Sequence, residues 1–593
     1  MNIAKTAAVC FPVILWAGCG GGSGGTGGGS LTLSLANNSA QVFQGEASAT
    51  VDASLTRTGS TGNVTLTVAG LPQGATDNII QSPGSGDSGS IAFSAGTAAA
   101  GTYALTITAS DGTNSSQADL SLTIGAAAVI SDTQNGAFSL AMSTSFQPAE
   151  WDNQFFTLNP SATTTLGNLH PHHIRLQGVS QGVPQGSEGT LDTTWNFTIL
   201  DDITQPVLGV GDHSPEFQIA KAPPFMYVND DSSSSFTSTT DFSAFAAYAQ
   251  NLVQYYNTGG FTVGNTLYES PGYVSNDYTI TYWGIYNEPS VNNNLTATEY
   301  TTMYNTLVPA MQQTDPSLKF VAMELCCGSE NWLQTFAPNV TAQVDVVASH
   351  YYASCNQKDT DEMLMDAVAG FVSSVKLIRT NISSTPVASA PIWVTENNVN
   401  ADYDAGGGIS ACNGTPFVTD VRGSSPFFAA WRPYVFSQLG KAGVQALYHW
   451  DFGADQQFGE VNYNTGALQL SYWVDYWLGQ TFPMTAGSQQ LNFNATDDAE
   501  LETLAVVNND KSVVIMVSNH AVNDPATDNN GPGAPRSVLV DVSALGTFSS
   551  GSLMIIDKNT DVTNGPTATA VTPASQMTIT LGGYGVAFLT LKP

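Results

Sequence analysis

The chain has 593 residues, with 48 Asp and Glu against 15 Lys and Arg, a formal net charge of -33 at pH 7. A surface of that sign repels phosphate backbones and anionic lipid, which argues against DNA or RNA as partners. Hydrophobic residues make up 42% and the mean hydropathy is -0.02, so a sizeable core is available without the composition of a polytopic membrane protein.

The length suits about three or four domains. Charged residues are only 11%, and Ser, Thr, Asn and Gly are abundant, as in exported β-rich proteins. The first thirty residues agree. A lone Lys5 precedes an apolar run from Ala7 to Ala17, then Gly18-Cys19. The run is too short for a stable membrane span and reads as an export signal over 1–18. Small residues before Cys19 predict a bacterial lipoprotein site, with Cys19 carrying the lipid and 19–30 serving as a Gly-rich tether. Trp16 departs from the Leu usual at such sites. The localisation expected is the cell surface or periplasm, or otherwise secretion, with any membrane contact made through that lipid.

Residues 31–125 alternate apolar and small polar residues. "GTYALTITASDGTNSSQADLSLTIG" places Tyr103, Leu105 and Ile107 on one face, turns at Asp111-Gly112, and resumes with Leu120, Leu122 and Ile124. Period-two patterning with turn signals predicts an immunoglobulin-like β-sandwich, for which a spacer is the preferred reading and a carbohydrate-binding module the alternative.

From 126 to 485 short apolar strands alternate with helical stretches such as 241–256 and 296–313, the pattern of a parallel (β/α)8 TIM barrel. Seven strands are legible, at 172–178, 215–220, 279–289, 319–327, 344–352, 391–398 and 444–452. The eighth is expected between 178 and 200. Residues 486–593 return to alternation and predict a C-terminal β-sandwich, to which "AVISDTQNGAFSLAMS" (128–143) is a candidate contributor. The fold class is therefore multidomain: an N-terminal β-sandwich, a barrel and a C-terminal β-sandwich.

Polar and aromatic residues gather where the barrel strands end: Arg175 and Gln177, Gln218, Asn287 and Glu288, His350 to Tyr352, Glu396, and Trp450. Active sites of such barrels are built on that face. Glu288, in "YNEP", and Glu396, in "TENN", close the fourth and seventh strands, and two facing carboxyl groups are what glycoside hydrolysis needs. Asn287 is positioned to bond a sugar hydroxyl. Glu324 and Glu330 are competing carboxylates near the fifth strand. "HPHH" (170–173) reads as a solvated strand start, since adjacent histidines in a strand face opposite ways. The cysteines show no metal-ligand spacing, and neither metal nor cofactor is expected.

"WGIYNEP" and "IWVTENN" resemble the paired signatures of clan A barrel glycosidases. More narrowly the chain is similar to glycoside hydrolase family 39, the β-xylosidase and α-L-iduronidase family. "TTWNFTILDDI", "SPEFQIAKAP", "VDVVASHYY" and "ALYHWDF" with "YWVDYWLG" extend the likeness over about 130–593. The resemblance implies a retaining enzyme with Glu288 as acid/base and Glu396 as nucleophile. Tyr352 would bond the nucleophile, His350 would line the same subsite, and Trp450 would form a platform under the sugar. Gln177 replaces a family His, Gln218 a Glu, and Asn397 a Trp, so the sugar does not transfer with the catalytic pair. An oligosaccharide or glycoside is the expected substrate. An endo-acting glycanase of a neighbouring clan A family and a catalytically silent carbohydrate-binding protein are the rival readings.

Four cysteines lie beyond the export signal, Cys326, Cys327, Cys355 and Cys412, with three connectivities open. In the barrel all four fall on the catalytic face. A Cys355–Cys412 bridge would stiffen its rim, leaving Cys326 and Cys327 paired with each other or free.

Overall fold

The computed structural model describes residues 29–147, 154–178, 185–187, 190–210, 214–230, 234–272, 279–291, 295–484 and 487–593. Residues 1–18, read from the sequence as an export signal, and Cys19 lie outside the described residues. Two compact units are formed. The first comprises the described residues through Val42, Ala47–Gly96 and Thr102–Thr123. Its antiparallel sheet runs Ser30–Leu35, Ala49–Thr58, Ser88–Ser94, Thr76–Gln81, and Thr65–Ala69 pairs with Gly101–Ser110. The turn that follows is closed by Asp111, whose Oδ1 accepts the N–H groups of Thr113 and Asn114 at 2.8 and 2.7 Å. Leu105, Ile107, Leu120 and Leu122 are buried, as the alternation requires.

The strand Ser115–Ala137 carries the chain out of this unit. In the second unit eight parallel strands close a barrel. They are β1 (Ala141–Phe146), β2 (His173–Leu176), β3 (Ser214–Ile219), β4 (Tyr282–Ile285), β5 (Lys319–Leu325), β6 (Val346–Ser354), β7 (Ile392–Asn400) and β8 (Val444–His449). The helices that follow them are α1 (Ala162–Leu169), α2 (Thr198–Val210), α3 (Ser243–Asn257), α4 (Ala297–Thr314), α5 (Leu333–Asn339), α6 (Asp361–Ile382), α7 (Pro426–Lys441) and α8 (Leu470–Thr481). α4 starts on a capping box, Thr296 accepting from the Glu299 N–H while Glu299 accepts from that of Thr296. Part of the barrel interior is apolar, filled by Ala141, Val321, Val346, Ala348, Trp393, Ala446 and Tyr448. Among the described residues no helix is long and apolar enough to cross a membrane.

The eighth barrel strand does not lie between 178 and 200. Thr190–Trp195 pairs antiparallel with Gln185–Ser187 in a small sheet apart from the barrel. β1 fills the place instead, bridging β2 and β8. It comes from the segment that the alternation suggested for the C-terminal sheet, and that segment is divided. Residues 128–137 pair with Gln489–Ala495, whereas 141–146 turn into the barrel. A strand buried on both sides shows no alternation, and the small residues of "AMSTSF" give no apolar run either.

The C-terminal sheet contains Gln489–Ala495, Leu501–Val507, Val513–Asn519, Gly585–Lys592 and Ser550–Asp557 in neighbouring positions. Ile515, Val517, Val538, Ile579 and Leu589 belong to a core of its own, while Leu504, Val514, Met516 and Phe588 belong to the core shared with the barrel. α7 is the element between the two: eleven of its sixteen residues are buried. Ser518 in the sheet donates to the Ala430 carbonyl at 2.9 Å, and Lys441 reaches Glu502 at 2.5 Å.

Candidate active site

A cleft of about 630 Å³ is lined by residues from the C-terminal ends of the barrel strands, among them Gln177, Asn287, Glu288, His350, Tyr352, Glu396 and Trp450. The sequence marks all of these. How the chain presents two of them follows from the turn after β4. Tyr286 (φ 71°) and Glu288 (φ 46°) both adopt left-handed backbone, which costs a non-glycine residue about 1–3 kcal/mol. The turn is held by the Tyr286 N–H on the Ile219 carbonyl at 3.0 Å and by a 2.8 Å bond between the Tyr286 and Tyr227 hydroxyls. It aims both Asn287 and Glu288 into the cleft.

Glu396 comes from β7, every residue of which is buried. Its Oε1 accepts from Arg175 Nη1 at 2.9 Å and its Oε2 from the Tyr352 hydroxyl at 2.8 Å. Burial, and then the Glu396 charge, raise the Tyr352 pKa well above the usual phenol range, so Tyr352 remains a donor. Arg175 does not line the cleft. It is fully enclosed, with Nη2 on Asn287 Oδ1 at 3.0 Å and Glu324 and Glu216 at 3.6 and 3.9 Å. Its part is to hold the two residues that do face the cleft. Gln218 also donates to Asn287 Oδ1, at 3.0 Å, which leaves the Asn287 amide N–H groups for a ligand.

His350 stands between three carboxylates. Nδ1 lies 2.9 Å from Glu288 Oε1 and 3.6 Å from Glu396 Oε2, while Nε2 lies 2.8 Å from Glu324 Oε2. Burial opposes its charge, but the Glu396 charge and the bonds to Glu288 and Glu324 push its pKa up to about 10. Burial alone would raise Glu288; the His350 bond and charge, with a bond from the Cys326 thiol, outweigh it and lower its pKa. Carboxylate oxygens of Glu288 and Glu396 and a nitrogen of His350 lie within 4.8 Å of one another. A second set of this kind is His449, Glu460 and Asp475. A metal ligand needs an imidazole lone pair. Both His350 nitrogens already face carboxylates, and His449 is bound on one side by Asp475 and on the other by the Phe458 carbonyl.

Of the competing carboxylates, Glu324 is wholly enclosed behind the cleft and Glu330 sits on its wall. Asn397, where the resembling family has Trp, faces inward and joins Tyr351 to Arg432 at 2.6 and 2.5 Å. Trp450 lines the cleft, with the Arg175 guanidinium 5.7 Å from its ring centre. Cys355 and Cys412 form a disulfide with Cα atoms 5.8 Å apart, linking the segments after β6 and β7. Cys326 and Cys327 are free and both line the cleft. His170 and His172 are exposed, as expected of a solvated strand start, whereas His173, the first residue of β2, is half-buried with its ring 4.4 Å from that of Trp393. The sequence reading passes over Gln147, Lys221, Tyr403 and Phe458, which also line the cleft. Lys221 lies two residues past the end of β3, and its place after a barrel strand is the signal that could have found it.

Residues 273–415 match the family model described as the glycosyl hydrolase catalytic core. No curated protein sequence matches the chain. Among solved structures, a monomeric β-xylosidase from Caulobacter crescentus is similar at 15% identity and TM-score 0.56, over 79% of this chain and 99% of that one. An α-L-arabinofuranosidase from Thermotoga petrophila is similar at 13% identity and TM-score 0.55, over 79% and 100%. A glucosidase from Croceicoccus marinus is similar at 14% identity and TM-score 0.51, over 79% and 99%. At these identities the likeness is one of fold.

Proposed function

From a chain with the fold of the clan A glycosidases and a glycosyl hydrolase catalytic core, we propose a retaining glycosidase in which Glu396 is the nucleophile and Glu288 the acid/base. The observation that carries this reading is the approach of the two carboxylates within 4.8 Å across one cleft. Retention needs roughly 5–5.5 Å between the groups, whereas inversion needs roughly 6.5–9.5 Å to seat a water. Glu396, fixed by Arg175 and Tyr352, attacks the anomeric carbon as Glu288 protonates the departing oxygen. Glu288 then takes a proton from the water that releases the sugar.

Asn287 donates to a hydroxyl beside the reacting carbon, a bond that strengthens in the transition state. Trp450 offers an apolar face to the ring. The similar folds serve a xylosidase, an arabinofuranosidase and a glucosidase by name, so the sugar is a matter for measurement, with β-D-xylosides first. The Cys19 signal and the Cys355–Cys412 disulfide support export as a surface lipoprotein.

The test is a panel of aryl glycosides of several sugars, assayed with wild type and Glu396→Ala. One sugar class should be turned over with retained configuration, as followed by NMR of the first-formed product. The variant should lose that activity, and azide should restore it with the opposite configuration. An inverted product from wild type, or turnover undiminished in Glu396→Ala, would overturn the assignment.

A further inference from the structure

The acid/base assignment of Glu288 leaves a question of proton supply. Glu288 must carry a proton when the leaving group departs, yet an imidazole poised to hold that proton lies 2.9 Å away. On the far side of the ring, Glu324 receives Nε2 at 2.8 Å. Glu324 has no exposure and does not reach the cleft, so it cannot touch substrate.

Its placement is nonetheless built with some effort. Met323 (φ 84°) and Glu324 (φ 39°) adopt left-handed backbone, and the pairing of β5 with β6 shifts register between Ala322 and Leu325. Bulges of this kind re-aim a side chain beside an active site. The redirected carboxylate also accepts from the Thr395 hydroxyl at 2.5 Å and sits 3.6 Å from Arg175.

We propose that Glu324, His350 and Glu288 form a proton relay in which His350 stores the proton delivered to the leaving group and Glu324 is the residue that positions and charges His350. The inference rests on the reading of Glu288 as acid/base. Glu324 keeps the proton of Nε2 in place, so the proton that comes and goes is the one on Nδ1, the nitrogen facing Glu288. In the first half-reaction His350 passes its Nδ1 proton to Glu288 Oε1. The carboxyl turns about its soft terminal torsion and gives a proton to the glycosidic oxygen. The electron pair of the breaking bond stays with that oxygen, and Glu396 bonds to the anomeric carbon. His350 is left neutral. In the second half-reaction the water oxygen bonds to the anomeric carbon as the Glu396–carbon bond breaks, its electron pair returning to Glu396. The water's proton passes to Glu288, which returns it to Nδ1.

A relay and a merely structural ion pair differ in their dependence on the leaving group. Dinitrophenolate departs without protonation, whereas phenolate needs it. The test compares wild type, Glu324→Gln and Glu288→Ala on dinitrophenyl and phenyl glycosides of the sugar that the panel identifies. Glu324→Gln should lose about tenfold or more in kcat/KM on the phenyl glycoside, with general acid catalysis contributing about 10²–10⁴, and less than about threefold on the dinitrophenyl one. Equal losses on both, or none, would overturn the relay. If Glu288→Ala shows no leaving-group dependence, the acid/base assignment itself fails. If it does and Glu324→Gln does not, only the relay fails.

Should Glu324→Gln not fold, ¹⁵N-histidine NMR of the wild-type protein decides, with His350 assigned from the spectrum of His350→Asn. Both ring nitrogens should be protonated at neutral pH, with Nδ1 the first to lose its proton. Loss from Nε2 first, or a neutral ring at pH 7, would overturn the proposal.

Discussion

Tyr352 donates its hydroxyl to Oε2 of Glu396 from the adjacent strand, at 2.8 Å, while the opposite oxygen is held by Arg175. The proposed nucleophile is thus fixed from both sides. A hydrogen bond to a charged group contributes about 1.5–3 kcal/mol. Tyr352→Phe should therefore lower kcat by about 10- to 100-fold with little change in KM. Steady-state kinetics on the best aryl glycoside check this, and a rise in KM alone would contradict the role.

Asn287 spends its carbonyl oxygen on Arg175 and Gln218, which leaves its amide for the proposed contact with the sugar. Asn287→Ala should lower kcat more than it raises KM, because the bond matters most in the transition state. The expected loss in kcat is about 100-fold, in the range of removing one preorganised donor. A matched substrate lacking the neighbouring hydroxyl should show little further loss with the variant.

Glu216 is sealed inside the barrel, 3.9 Å from Arg175 Nε. Burial first, then the Glu324 charge, push its pKa well above the usual carboxylate range. An acid whose folded pKa is raised favours folding below its unfolded pKa of about 4.3 and loses that contribution as pH rises. Glu216→Gln removes the titration while keeping the shape. Its melting temperature should exceed that of wild type at pH 8 and match it near pH 4.

His350 shows the same sign for the opposite reason. Its folded pKa of about 10 lies above the ordinary value of 6.5. The stabilisation is complete below about 6.5 and is lost as pH rises through about 10. Thermal melts of wild type should fall between pH 7 and 10, and His350→Asn should flatten that limb.

Peptide mapping of unreduced, alkylated protein should recover Cys355 joined to Cys412, with Cys326 and Cys327 alkylated. The bridge spans 57 residues of sequence. Replacing both of its cysteines with Ser should cost about 2–4 kcal/mol in denaturant unfolding. Four alkylated thiols would contradict the pairing.

The sequence reveals most of the barrel because its strands are apolar runs that end in chemistry: "PIWVTENN" announces both β7 and Glu396. It conceals β1, whose small residues are shaped by burial on both faces rather than by alternation. Glu288 and Glu396 are legible because each follows an apolar run, "ITYWGIY" and "PIWV". Glu324 is legible only as another carboxylate near β5. Its inward aim comes from the backbone at Met323 and Glu324, where left-handed conformations are taken by residues that carry no sequence signal for them. Arg175 belongs to the same class: the sequence places it at the end of β2, but only packing decides that it serves other side chains and not a sugar.

α7 has a further consequence for how this protein can be handled and inherited. Phe427, Trp431 and Phe436 are fully covered, and the carbonyl of Ala430 is met by Ser518 from beyond the barrel. Cutting the chain after α8 would strip that cover and leave a greasy stripe in water, on a helix whose Arg432 reaches Asn397, next to Glu396. The barrel half should then come out of expression as aggregate, and swapping either half between relatives should succeed only when both travel together.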